Sequence, residues 1–142
     1  MVFRKSFIAH KIEEIFKNLD EAKNLFRFSD KEILEDSLKY HTAERLLQLA
    51  VDLILDINYH FIKELNLKVS EDLQGTFYIL AENKILPEDF VRKFAPIVGL
   101  RNRIVHRYET LNKKLFIKTF RKNYPDFEKY LKLVSKYLEK LK

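Results

Sequence analysis

A chain of 142 residues with no cysteine, two glycines, three prolines and a net charge of +6 excludes a good deal at once. Disulfides and thiolate metal sites cannot form, glycine-rich phosphate loops have nothing to be built from, and so few turn residues argue against a sheet-rich fold. With 46% hydrophobic and 34% charged residues, a single globular domain over 1–142 is expected, and abundant Leu, Lys, Glu and Ile favour helix.

The first helix is expected at about 6–24, where Ile8, Ile12, Ile15 and Leu19 recur at helical spacing. The second starts at the capping box Ser29-Asp30-Lys31-Glu32. No breaker follows until Asn66, so this helix is expected to run ~35 residues, about 50 Å at 1.5 Å per residue. A third segment covers about 71–83, with Gly75 as a weak point. Pro87 suits the first turn of a fourth helix carrying Phe90, Phe94, Ile97, Val98, Ile104 and Val105, which Pro96 should kink or split. The fifth covers about 112–141, capped by Asn112 and divided by Pro125. The expected fold is all-α, an up-and-down bundle of about five helices. Its unusually long second helix suggests a partner surface.

The apolar stretch LLQLAVDLILDI is broken by Gln48, Asp52 and Asp56, too short and charged to span a bilayer. The N-terminal MVFRKSFIAHKIEEIF lacks the apolar core of a signal peptide. A soluble, cytoplasmic protein is expected. Charge is uneven: residues 101–142 hold 13 Lys and Arg against 4 Asp and Glu, whereas 1–100 hold 14 against 17. Such asymmetry suits an end that faces a polyanion. A solvated lysine-rich helix face gives the same signal.

Residues 101–108, RNRIVHRY, open that basic end. On a helix Arg101 and Tyr108 share a face, as do Asn102 and His106. Arg101 and His106, five apart, lie roughly 140° around the axis, so one copy presents them to a groove poorly. Two copies meeting on a twofold axis would gather two Arg and two His around one cleft. Arginine offers a planar fork of donors matching a phosphate, and histidine moves protons near neutral pH. RNA carries its own nucleophile, the 2′-OH, so a base, an acid and a positive clamp suffice without metal or cofactor.

The spacing Arg101-Asn102-Arg103-Ile104-Val105-His106-Arg107-Tyr108, with the upstream helix AERLLQLAVDLILDINYHFI at 43–62, resembles the HEPN (higher eukaryotes and prokaryotes nucleotide-binding) domains. Within them it is similar to the HepT-like toxins of type VII toxin–antitoxin systems. The resemblance covers most of the chain. It implies a helical homodimer that is a metal-independent endoribonuclease, with its composite site at the dimer interface. Arg101 and His106 would be catalytic, and Asn102 would orient His106 or the phosphate. Products would carry a 2′,3′-cyclic phosphate and a 5′-OH. It also implies a partner antitoxin, a minimal nucleotidyltransferase that transfers AMP from ATP to Tyr108. Arg103 and Arg107 make this motif more basic than many and are candidates for RNA contact. Pro96 stands where the family often has an ordinary helix former.

Other readings stay open. A catalytically silent HEPN subunit would present nucleotide or substrate to a nucleotidyltransferase. A plain helical dimer would bind nucleic acid through charge alone. Asp52, Asp56 and His60 form a polar stripe at i, i+4 and i+8. It reads first as a polar seam between copies, then as support for Arg101 with Asp56 the expected partner, and least as a metal site. His10 and His41 have no partner at a recognisable spacing and read as surface residues. The ladder Lys129, Lys132, Lys136 and Lys140 reads as a solvated face able to guide RNA.

Overall fold

Apolar spacing decides where the first helix packs. In the computed structural model, which describes residues 4–106 and 111–141, α1 (Lys5–Leu25) buries Ile8, Ile12, Ile15, Leu19 and Ala22. That stripe lies mainly against α3 (Ser37–Glu64). Between them runs the short α2 (Asp30–Glu35), whose capping box is complete. Ser29 Oγ accepts from the Glu32 amide at 3.1 Å, and the Glu32 carboxylate accepts from the Ser29 amide at 3.0 Å.

The single ~35-residue helix expected from Ser29 to Asn66 is instead two. The chain leaves helical geometry at Asp36, with φ −110° and ψ 106°. The Asp36 carboxylate then caps α3, accepting from the Leu38 and Lys39 amides. A short carboxylate that captures helix-start donors competes with helix continuation. The remaining α3 still has 28 residues. It ends at Glu64, and two residues on Asn66 takes left-handed geometry at φ 55°, which asparagine tolerates.

α4 (Gly75–Glu82) starts later than expected, and Gly75 opens it rather than weakening its middle. The preceding loop is pinned by Asp72, whose Oδ1 accepts from the Gly75 amide at 2.6 Å. A Cβ at Gly75 would stand 2.4 Å from Ser70 Oγ and 2.8 Å from Asp72 Oδ1, so a larger residue would displace the side chains that pin this turn. Pro87 precedes α5 (Glu88–Phe94) as its cap residue. The break at Ala95-Pro96 separates it from α6 (Ile97–His106), as the proline predicts. α7 (Lys113–Lys140) starts at the expected cap, Asn112 Oδ1 accepting from Leu115 N at 3.0 Å. It is not divided at Pro125. The buried side chains on either side, Phe120, Phe127 and Tyr130, hold both halves to the core, and this packing outweighs the missing backbone donor.

Seven helices and no strand are thus present among the described residues, around one contiguous core. No helix among them is long and apolar enough to cross a membrane. Aromatic edges knit the core: Phe94 meets Phe127 at 5.1 Å and Phe77 at 5.7 Å between ring centres. Arg121 ties α7 to the end of α1 and the start of α2. Its guanidinium donates to Asp30 Oδ1 and to the Phe26 and Phe28 carbonyls, and lies over the Phe26 ring.

Inside the core sits a closed polar chain. Tyr130 Oη donates to Asn58 Oδ1 at 2.6 Å, Asn58 Nδ2 donates to Thr76 Oγ1 at 3.1 Å, and Thr76 Oγ1 donates to the Leu73 carbonyl at 2.7 Å. Asn58, Thr76 and Tyr130 are all fully buried, and burial pushes the Tyr130 hydroxyl pKa well above its usual value. Each donor meets an acceptor, so α3, α4 and α7 are fixed in one relative position. Removing Asn58 takes the near acceptor from the buried Tyr130 hydroxyl, while Thr76 keeps its bond to the Leu73 carbonyl, so one buried donor is left poorly served at about 1–3 kcal/mol. Urea unfolding should therefore show Asn58→Ala less stable by about 1–3 kcal/mol. A loss under about 1 kcal/mol would mean the chain does not hold the core.

Candidate active site

Burial of Ile97, Val98 and Ile104 seats α6 on the core. The rest of the helix is left to the surface: Arg101 and Asn102 are half-buried, and Arg103 and His106 are exposed. These four residues and Leu73 line one cleft of ≈ 430 Å³. Ideal helix geometry sets Arg101 and His106 far around the axis, yet one copy brings both to the same cleft. A hollow of this size is wide enough to be reached from both positions. Arg107 and Tyr108 lie outside the described residues.

Arg101 is anchored rather than loose. Its Nε donates to Asp52 Oδ1 at 2.8 Å across the α3–α6 contact, and its Nη1 donates to Asn102 Oδ1 at 3.0 Å. The Arg101 side chain is 17% exposed and that of Asp52 35%, so water screens the pair only partly. Asn102, expected to orient His106 or a phosphate, has its oxygen on Arg101.

The expected support from Asp56 is corrected to Asp52. Asp56 instead pairs with Lys11 of α1 at 3.2 Å. The two carboxylates are one turn apart, about 6 Å along the helix. Arg101 of α6 reaches α3 at the first, and Lys11 of α1 reaches it at the second. His60, a turn further, stacks on Phe7 at 4.5 Å between ring centres. Its loss of water lowers its pKa below the ordinary value, against the opposing pull of Glu64, which favours a neutral packing ring. The stripe therefore divides: Asp52 serves α6, whereas Asp56 and His60 both meet α1, through Lys11 and Phe7. Among the described residues no group of three or more His, Asp or Glu side chains is gathered where it could hold a metal ion.

His10 and His41 are surface residues as expected, but each has a neighbour at helical spacing. His10 meets Glu14 at 3.0 Å and His41 meets Ser37 at 3.2 Å. A second hollow of ≈ 360 Å³ shares Leu73 and Asn102 with the first and extends it towards Tyr59 and Gln74. Sequence reading missed it. The available signal was Tyr59, two helical turns after Asp52 on the same face. The lysines at 129, 132, 136 and 140 are exposed along α7, and Lys129 lies over the Phe90 ring.

The arrangement offers a fixed planar donor fork, an amide and a titratable imidazole around one open cleft. That set suits recognition of a phosphodiester and proton transfer beside it.

A family model described as ribonuclease HepT-like matches residues 15–134. A tRNA nuclease HepT of Aphanizomenon flos-aquae is 28% identical over 131 residues, covering 92% of this chain and 89% of that protein. An mRNA nuclease HepT of Shewanella oneidensis is 23% identical over 125 residues, covering 88% and 86%. Among solved structures, a tri-AMPylated HEPN toxin of Shewanella oneidensis in complex with its MNT antitoxin superposes with a TM-score of 0.85. It is 21% identical, covering 93% of this chain and 98% of that one. A cytosolic protein of unknown function from Bacillus subtilis shares the fold, with a TM-score of 0.80 at 17% identity over 99% and 94% of the two chains.

The anchoring of Arg101 can be read by NMR. In Asp52→Asn the Arg101 Nε–H resonance should move upfield, because a charge-assisted hydrogen bond is replaced by a neutral one. In Asp56→Asn it should stay in place. The reverse pattern would return the support role to Asp56.

Proposed function

Since the chain belongs to the HepT-like ribonuclease family, we propose that it is the ribonuclease toxin of a toxin–antitoxin pair. It cuts RNA through Arg101 and His106 and is silenced by AMP on Tyr108. The observation that carries this reading is the cleft lined by Arg101, Asn102 and His106, with Arg101 pinned to Asp52.

Chemistry needs three acts there. A base takes the proton of the RNA 2′-OH, the oxygen attacks the adjacent phosphorus, and an acid gives a proton to the departing 5′-oxygen. The bond to the 5′-oxygen breaks as the bond to the 2′-oxygen forms, leaving a 2′,3′-cyclic phosphate and a 5′-OH. No metal ion is required, because the nucleophile is already in the substrate. Arg101 neutralises the charge that builds on the phosphoryl oxygens. One imidazole per cleft cannot be base and acid in the same instant. A homodimer that brings two clefts together supplies the second, and this is the arrangement we infer. Arg103 and Arg107 hold the flanking phosphates.

Control would act two residues beyond His106 in the sequence. A cognate minimal nucleotidyltransferase acts as antitoxin, moving AMP from ATP to the Tyr108 hydroxyl with release of pyrophosphate. The added phosphate brings negative charge and bulk two residues from His106 in the sequence and repels RNA. The tri-AMPylated state of the Shewanella toxin with its antitoxin supports this reading.

With EDTA present, wild-type protein should cleave RNA. Arg101→Ala and His106→Ala should each lose about 10²- to 10⁴-fold. Asp52→Ala, which frees Arg101, should lose about 10- to 100-fold, and Asp56→Ala less than about twofold. Undiminished cleavage in both Arg101→Ala and His106→Ala would sink the assignment. Co-expression with the antitoxin should raise the intact mass by whole AMP units, and Tyr108→Phe should abolish that gain. An unchanged mass with a stable complex would instead favour neutralisation by occlusion.

A further inference from the structure

A cavity of ≈ 450 Å³ lies between the turn after α4 and the last turns of α7, and it shares no residue with the Arg101 cleft. Its floor is apolar: Ile85 is buried, and Leu133 and Tyr137 are half-buried. The Tyr137 ring stands edge-on to the buried Phe61 at 5.7 Å, which holds it as a fixed wall. Around this floor stand three exposed ammonium groups, Lys84 from the turn and Lys136 and Lys140 one helical turn apart on α7. Among the described residues none of the three lies in an ion pair. The one carboxylate at the cavity, Glu88, already faces Arg92 at 3.5 Å. The field there is positive above an aromatic and aliphatic surface. The volume falls within the roughly 300–1,000 Å³ usual for small-molecule sites.

An independent observation marks Lys84. It closes α4 in left-handed geometry at φ 60°. The Ile85 amide donates to the Leu80 carbonyl and the Lys84 amide to the Ala81 carbonyl, the pattern of a helix stop that favours glycine or asparagine. The matching stop at the end of α3 has such a residue, Asn66. Lysine at position 84 sacrifices backbone ease and places an ammonium on the cavity rim instead.

We propose that this cavity binds a nucleotide, its phosphate on Lys84, Lys136 and Lys140 and its base against Tyr137. The ligand chemistry is the same for a free nucleotide and for one unit of single-stranded RNA. The proposal does not rest on the cleavage reading, and a failed cleavage assay leaves it standing.

The test uses His106→Ala protein, so that RNA stays intact, with AMP by calorimetry and a labelled oligoribonucleotide by anisotropy. Lys84→Gly is the decisive variant. It removes the ammonium while relieving the backbone, so its melting temperature should equal or exceed that of the parent. It should weaken binding about tenfold, and Lys136→Gln should add to the loss. The charge-matched control is Lys31→Gln, on α2. Arg121, which anchors α2, lies fifteen residues before Lys136 along α7, about 22 Å. That control should change affinity less than twofold. Loss for both ligands, with AMP competing against RNA, assigns a general nucleotide site. Loss for AMP alone assigns a free nucleotide, and loss for RNA alone assigns an RNA subsite. Unchanged binding of both ligands in the Lys84→Gly/Lys136→Gln/Lys140→Gln protein overturns the proposal. So does an equal loss in Lys31→Gln, which would mark only diffuse attraction.

Discussion

One hydrogen bond across two helices, from Arg101 on α6 to Asp52 on α3 at 2.8 Å, fixes the geometry on which the site depends. α6 has ten residues and follows a proline break, so it is too short to hold its own place by helix propensity. Its position comes from three buried apolar residues beneath it and from the carboxylate that takes the Arg101 Nε–H. The carboxylate is only as well placed as α3. That helix is in turn fixed to α4 and α7 by the buried run Tyr130–Asn58–Thr76. The run ends on the Leu73 carbonyl, and Leu73 also lines the cleft. Core and cleft are therefore parts of one hydrogen-bonded and packed unit.

The basic end of the chain divides by task once its contacts are known. Arg121 spends its whole guanidinium on Asp30 and two carbonyls and is structural. Lys129 lies over a phenylalanine ring. Arg101 serves the cleft, and Lys136 and Lys140 border a separate apolar cavity. A net charge of +6 cannot by itself separate a polyanion-facing surface from a solvated lysine-rich face. The contacts show which cations are already engaged within the fold.

Much of this was legible in the sequence, for local reasons. Ser29 with Glu32, Asn112 and Pro96 act within a few residues of themselves, and each does what its chemistry predicts. The spacing of Arg101 and His106 argues against one copy presenting both to a groove, yet a single cleft takes both, because its width and not the helix angle decides. Expectations failed where a distant contact decides. Pro125 does not break α7, because buried aromatics on both sides hold the helix in line. Asp36 broke a helix that looked continuous, since an interior aspartate and a capping aspartate look alike in sequence. Asp56 and Asp52 were equivalent in the helical pattern, and only the contacts of α1 and α6 along α3 separate them. The left-handed geometry of Lys84 has no sequence signal, because lysine is not a residue that announces it.

The most direct test of the central claim is the identity of the new RNA ends. Wild-type protein is incubated with RNA in EDTA, and the fragments are read by mass spectrometry. If Arg101 and His106 direct the substrate's own 2′-OH onto phosphorus, every cut carries a 2′,3′-cyclic phosphate or its opened form on one side and a 5′-OH on the other. Fragments with a 5′-phosphate and a 3′-OH would mean that water or another outside nucleophile attacks, and the account of this cleft given above would be wrong.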